Sequence, residues 1–132
     1  LAKMNGVEIK ANLKPYLFQG DKQLFQQCII NITKNCIEAM PKGGTLTIET
    51  NASYKKIILE ISDNGIGMTE EEVNRIGEPY YTTKGDKGTG LGMITSLNII
   101  HSMNGTVHIE SEKEKGTKFT IMFPLIYDED KA

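Results

Sequence analysis

The residues best equipped for chemistry lie in two glycine-rich turns and on one polar helical stripe. Asp63-Asn64-Gly65-Ile66-Gly67 offers a fixed carboxylate beside bare backbone. Asp63 can accept a hydrogen bond from an exocyclic amine, while Gly65 and Gly67 let a planar ring approach. Gly88-Thr89-Gly90-Leu91-Gly92 leads straight into a predicted helix. Its free N–H groups and positive dipole end form an anion site, to which Thr89 adds a hydroxyl and Lys84 and Lys87 add charge. Asn31, Asn35 and Glu38 fall within about 60° of one another on a helical wheel, at the border of an apolar arc. The side-chain carbonyls of the two asparagines suit Mg²⁺, which keeps waters and phosphate oxygens beside its protein ligands. Base, metal and phosphate are all provided for, and that points to ATP. Taken singly, each feature also reads as an ordinary turn, a helix start or a solvated face.

These groups need a frame to hold them. Val7, Ile9, Ala11 and Leu13 alternate with polar residues and predict a strand ending before Pro15, with a short second strand over Tyr16–Gln19. Asp21 reads as the N-cap of a helix running to about Met40, where Pro41 and Gly43-Gly44 stop it. Phe25, Cys28, Ile29, Ile32, Cys36, Ala39 and Met40 form its core face, and Leu24 lies beside the polar stripe. Leu46 and Ile48, then Ile57, Leu59 and Ile61, predict two strands joined around Asn51–Lys55. From Gly65 to Gly92 the chain reads as irregular apart from a helical stretch at Glu70–Ile76. A loop that long is commonly a lid or binding loop. A second long helix starts near Leu91 with an apolar stripe of Leu91, Ile94, Leu97, Ile100 and Met103, and Gly105 ends it. Val107 and Ile109, then Phe119, Ile121 and Phe123, predict a last strand pair. The expected fold is α+β, a two-layer sandwich in which helices cover one face of a single sheet, over one domain spanning residues 1–132.

Composition narrows the function classes. The net charge of −2 gives no basic surface for nucleic acid or an acidic membrane. No apolar run reaches the roughly 18 residues that a membrane span requires. The chain begins at Leu1, which reads as a piece cut from a longer protein whose own anchor is not excluded. Cys28 and Cys36 are eight residues apart on one predicted helix, about 12 Å at a rise of about 1.5 Å per residue, beyond disulfide reach. They read as buried thiols of a reducing cytosol.

In their order along the chain the pieces become specific. Asn31-Ile32-Thr33-Lys34-Asn35-Cys36-Ile37-Glu38-Ala39 resembles the N box of sensor histidine kinases, and Asp63–Gly67 resembles their first glycine box. Glu78-Pro79-Tyr80-Tyr81-Thr82-Thr83-Lys84 looks like their F box, and Gly88–Gly92 like their second glycine box. The Tyr-Thr-Thr-Lys lid and the Ile-Glu-Ala-Met stretch look like the sporulation and nitrogen-regulatory kinases. The resemblance covers Tyr16 to Leu125 and implies a catalytic and ATP-binding domain of the Bergerat (GHKL) fold.

By that resemblance Asn35 would be the Mg²⁺ ligand, with Asn31 and Glu38 lining the same site. Asp63 would bind the adenine amine, with Gly65, Gly67 and Met68 beside the ring. Tyr81, Thr82, Thr83 and Lys84 would sit in the ATP lid, while Gly88, Thr89, Gly90, Leu91 and Gly92 would hold the phosphates. Thr117, after Gly116, matches the last glycine-threonine element near the base. Asn35, Lys84 and Thr89 would carry the catalysis. The chain departs from the pattern at Gly77 and Tyr80, where the family often carries Phe. It departs again at Glu114, where a glycine often precedes Gly116 by two.

Position 31 separates activities within this fold. Relatives that hydrolyse ATP carry a Glu there as the general base for water, and a carboxamide cannot take a proton at neutral pH. Asn31 therefore fits a kinase, with Glu38 a turn away in a structural role. The expected activity is donation of the γ-phosphoryl group to a histidine on upstream dimerisation helices, with a response regulator downstream and a homodimeric parent. Neither His101 nor His108 has the setting of a phosphoacceptor, so that segment lies elsewhere in the parent. The alternatives are a GHKL ATPase or a nucleotide-binding regulatory module without phosphotransfer. The expected location is cytoplasmic.

Overall fold

The computed structural model describes residues 6–12, 22–53, 55–76 and 91–124. Along the chain come strand β1 (Val7–Asn12), helix α1 (Lys22–Glu38), strands β2 (Gly44–Ser53) and β3 (Lys56–Asp63), helices α2 (Glu70–Arg75) and α3 (Leu91–Ser102), and strands β4 (Thr106–Glu112) and β5 (Gly116–Pro124). The strands form one five-stranded sheet in the order β1-β2-β3-β5-β4. β1 and β2 run parallel, as a crossover through α1 requires, and the remaining neighbours are antiparallel. Ser53 pairs with Lys56, and Lys55, just before β3, takes the left-handed φ of 67°.

Period-two patterning decides which face of the sheet is covered. In β3, Ile57, Leu59, Ile61 and Asp63 point inward while Ile58, Glu60 and Ser62 lie on the other face. Phe119, Ile121 and Phe123 continue the inward face on β5. Against it lie Cys28, Ile32 and Cys36 of α1, Met40 just beyond that helix, and Met93, Ile99 and Ile100 of α3. Burial of each of the larger apolar side chains contributes roughly 1.5–3 kcal/mol. The Phe25 and Phe123 rings meet edge to face with centroids 5.8 Å apart, tying α1 to β5. α2 is held at its start by a capping box: Thr69 Oγ1 accepts from the Glu72 N–H at 3.1 Å, and Glu72 Oε1 accepts from the Thr69 N–H at 2.9 Å.

The expected two-layer α+β sandwich is the observed fold. The buried face of α3, however, differs from the expected stripe. Met93, Ser96, Ile99, Ile100 and Met103 are buried, whereas Ile94 and Leu97 are half-buried flanks. The reason is helix–helix contact. Ser96 is small enough for α1 to come close, and Cys28 Sγ donates to its carbonyl at 3.6 Å. Ile37 of α1 is also buried, outside the arc expected to be its core face. The predicted strand at Tyr16–Gln19, the N-cap Asp21 and Leu13 lie outside the described residues.

Candidate functional site

The site begins on α1. No Gly or Pro interrupts residues 22–38, and the apolar arc turns this helix onto the sheet. Asn31, Asn35 and Glu38 lie half-buried at the border of that arc, so the polar stripe lines the edge of the core. The carboxamide oxygen of Asn31 accepts from Gln27 Nε2 at 3.1 Å, one turn back on the same helix.

Asp63 is the buried charge opposite that helix. The inward phase of β3 carries its side chain to the core side, where it is only 8% exposed. The Gly65 N–H donates to Oδ1 at 2.9 Å. The Cys36 thiol and the Thr117 N–H donate to the same carboxylate. Burial raises its pKa above the ordinary carboxylate value, and these three donors oppose that rise only in part. Burial and then the Asp63 charge push the Cys36 thiol upward as well. A poorly hydrated carboxylate fixed by donors from the turn, from α1 and from β5 is a strong acceptor for an amine that reaches it.

The turn after Asp63 is clamped from both sides. The Ile66 N–H donates to the Ala39 carbonyl at 2.9 Å, and the Ile66 carbonyl accepts from the Glu114 N–H at 2.8 Å. Asn64 Oδ1 accepts from the Thr45 N–H at 2.9 Å, and the Met68 N–H donates to Ser111 Oγ at 2.8 Å. These contacts also account for the glycines. A Cβ on Gly65 would lie 2.1 Å from the Ala39 carbonyl oxygen, and one on Gly67 would lie 2.0 Å from that of Glu112. Gly67 has a φ of 68° besides. The bare backbone here is thus demanded by the chain's own close approaches.

β4 and β5 close the far side. Asp63 pairs with Thr117, and Thr117 with Ser111, so the three side chains form a row on the helix-facing side of the sheet. Ser111 Oγ lies 2.7 Å from Thr117 Oγ1 and donates to the Gly116 carbonyl at 2.9 Å. In the turn between the strands, Glu114 holds a φ of 71°, which explains why a glycine suits that position.

The structure therefore gathers Asp63, Gly65, Gly67, Met68 and Thr117 around one loop, with the stripe of Asn31, Asn35 and Glu38 on the helix whose final turn bonds that loop. Leu91 and Gly92 form the first turn of α3. Tyr81, Thr82, Thr83, Lys84, Gly88, Thr89 and Gly90 lie outside the described residues. His101 and His108 are exposed, the latter with Nε2 3.3 Å from Glu110 Oε2. Sequence reasoning missed Ser111, Asn64 and the pairing of Cys36 with Asp63. Ser111 alone left a signal, because it continues the inward phase of Val107 and Ile109.

Residues 20–126 match the family described as histidine kinase-, DNA gyrase B-, and HSP90-like ATPase. The chain belongs to this ATPase family. Sporulation kinase A of Bacillus subtilis (strain 168) is 41% identical over 125 residues, which are 93% of this chain and 20% of that protein. The chain thus spans a fifth of that relative's length. The nucleotide-free catalytic domain of histidine kinase ThkA superposes with a TM-score of 0.79 at 28% identity, over 92% of this chain and 80% of that one. The mycobacterial sensor histidine kinase MprB shares the fold, with a TM-score of 0.83 at 20% identity over 93% of this chain and 85% of that one. As a histidine kinase-type member of the family, the chain carries its mixed sheet with helices on one face. Among the described residues no helix is long and apolar enough to cross a membrane.

Proposed function

We propose that this chain binds Mg·ATP and presents the γ-phosphoryl group to a histidine on dimerisation helices of its parent, within a two-component phosphorelay. The observation that carries the reading is Asp63: a buried carboxylate at the end of β3, fixed by Gly65 of the glycine turn, Cys36 of α1 and Thr117 of β5. Asp63 accepts the adenine amine, and Gly65, Gly67, Met68 and Thr117 surround the base. Asn35 holds Mg²⁺ with Asn31 and Glu38 beside it. The donor set fits that ion, since amide oxygens leave room for phosphate and water. Bound there, Mg²⁺ neutralises charge on the phosphate oxygens. Lys84, Thr89 and the Gly88–Gly92 turn hold the phosphates under a lid of Tyr81, Thr82 and Thr83.

Asn31 favours transfer over hydrolysis. Its carboxamide cannot accept a proton at neutral pH, and its oxygen already accepts from Gln27. Positioning and charge stabilisation suffice for phosphoryl transfer, so this site needs no base of its own. The partners are the parent's own phosphoacceptor helices in a homodimer and, downstream, a response regulator on the cytoplasmic side. Titration calorimetry of the chain with ADP, with and without Mg²⁺, tests the binding step. Micromolar affinity that loses its Mg²⁺ dependence in Asn35→Ala supports it, and no heat with wild type at millimolar ADP removes it.

A further inference from the structure

Ser111 Oγ has three polar neighbours. It accepts from the Met68 N–H at 2.8 Å, meets the Gly116 carbonyl oxygen at 2.9 Å and lies 2.7 Å from Thr117 Oγ1. A serine hydroxyl has a single proton, and a carbonyl has none. Two oxygens 2.9 Å apart with no proton between them repel, so the proton on that line is the one Ser111 carries. Ser111 then offers Thr117 only a lone pair. The 2.7 Å contact is closed by the Thr117 proton, and Thr117 Oγ1 meets all its other neighbours as an acceptor. One register position away across the sheet stands the Asp63 carboxylate, also an acceptor.

We propose that Ser111 is a positioning residue that fixes the proton of Thr117 and so makes the base-binding row of this chain acceptor-only, which selects 6-amino over 6-oxo purines. The inference rests on the nucleotide reading above. An exocyclic amine brings two N–H donors toward such a row. A 6-oxo purine sets the O6 lone pairs against Asp63 and Thr117 where the amine stood, and its one donor on that edge, N1–H, sits a ring position away from them. Thr117 cannot turn its proton outward to meet them, because Ser111 takes it, and the Ser111 proton is held by a backbone carbonyl. Removing the Ser111 hydroxyl frees the Thr117 proton to face the base, and the row then tolerates an oxo group better.

The test is titration calorimetry of the whole chain with Mg²⁺ and either ATP or ITP, which place an amine or an oxo group at the same purine position. Wild type, Ser111→Ala and Ser111→Thr are compared, with thermal unfolding as the check on folding. The ATP-to-ITP affinity ratio is expected to fall at least fivefold in Ser111→Ala and to return to within twofold of wild type in Ser111→Thr. Equal weakening of both nucleotides in Ser111→Ala, with the ratio unchanged, is what a merely structural serine produces, and it overturns the assignment. If Ser111→Ala fails to fold, Thr117→Val takes its place. That near-isosteric change deletes the acceptor, and a ratio left unchanged by it overturns the assignment as well. Wild type that binds neither nucleotide removes the nucleotide reading itself, a result distinct from wild type that binds ATP and a variant that keeps the ratio.

Discussion

Substituting alanine for Gly65 asks whether the first glycine turn is held by the chain itself or left bare only for a ligand. An ideal Cβ there lies 2.1 Å from the Ala39 carbonyl oxygen, 2.8 Å from its carbon and 2.9 Å from Met40 Cγ. Carbon and oxygen come to rest at roughly 3.3 Å, so loop or helix must retreat by about 1 Å. The same carbonyl accepts the Ile66 N–H at 2.9 Å, and a retreat of that size breaks the bond. Overpacking costs about 1–3 kcal/mol and a lost backbone hydrogen bond about 0.5–1.5 kcal/mol, together about 1.5–4.5 kcal/mol. For a chain of 132 residues that is a fall in Tm of about 6–17 °C, at about 2 cal/mol/K of unfolding entropy per residue. Circular dichroism melts without nucleotide read it directly, with a urea series expected to keep its slope and lose midpoint. A Tm within about 1 °C of wild type, with only nucleotide affinity reduced, would refute the reasoning, because the glycine would then be serving the ligand alone.

Asp63→Ala should weaken ADP binding by about 10- to 150-fold in calorimetry, the range for one charge-assisted hydrogen bond of about 1.5–3 kcal/mol; an affinity within threefold of wild type would contradict it. Because burial holds Asp63 above the ordinary carboxylate range, the folded ligand-free chain binds that proton more tightly than the unfolded chain does. Its contribution to stability is therefore full below the unfolded value of about 3.9 and is lost as pH rises through the folded value. The urea-midpoint difference, wild type minus Asp63→Ala, should shrink from pH 3.5 to 7, and a difference that grows with pH has the wrong sign. Glu114→Gly should stabilise the fold by about 0.5–1 kcal/mol in the same melts, since glycine relieves a φ of 71°; a lower Tm would count against that. Cys28, pushed by burial up to about 11, and the equally buried Cys36, raised by burial and by the Asp63 charge, should resist maleimide for hours at pH 7.5 and react at once in urea. Labelling within minutes in buffer would show that these thiols are reachable.

Much of this was legible from the sequence for a physical reason: each long element repeats its environment. Ile57, Leu59 and Ile61 alternate because one face of β3 is covered, and the same phase carries Asp63 to the core side. The arc of α1 was readable because its outer face is polar, and the asparagines stand out at its edge. On α3 the exposed Thr95, Asn98, His101 and Ser102 share one side, but the apolar remainder is so wide that the sequence left open which part of it meets α1. A small Ser96 opposite Cys28 decides that, and such a contact joins residues 68 apart in the chain. The glycine turn was legible as a special backbone, yet the cause of its specialness was not. Ala39 and Glu112 fill the spaces beside Gly65 and Gly67, and neither is near in sequence. The phase of Val107 and Ile109 put Ser111 on the inward face, but its links to Met68 and Gly116 stayed hidden because they are made across turns of other elements.

Phosphoryl transfer is the step to measure. The chain is incubated with γ-labelled ATP, Mg²⁺ and the separately made dimerisation segment of its own parent, and label is followed both on that segment and as free phosphate. Acid-labile, base-stable label should accumulate on one histidine of the segment, vanish with Asn35→Ala, and leave little free phosphate when the segment is omitted. Steady release of free phosphate by the chain alone, with no labelled histidine, would contradict the assignment of Asn31 to a transferring site and make the chain a hydrolase.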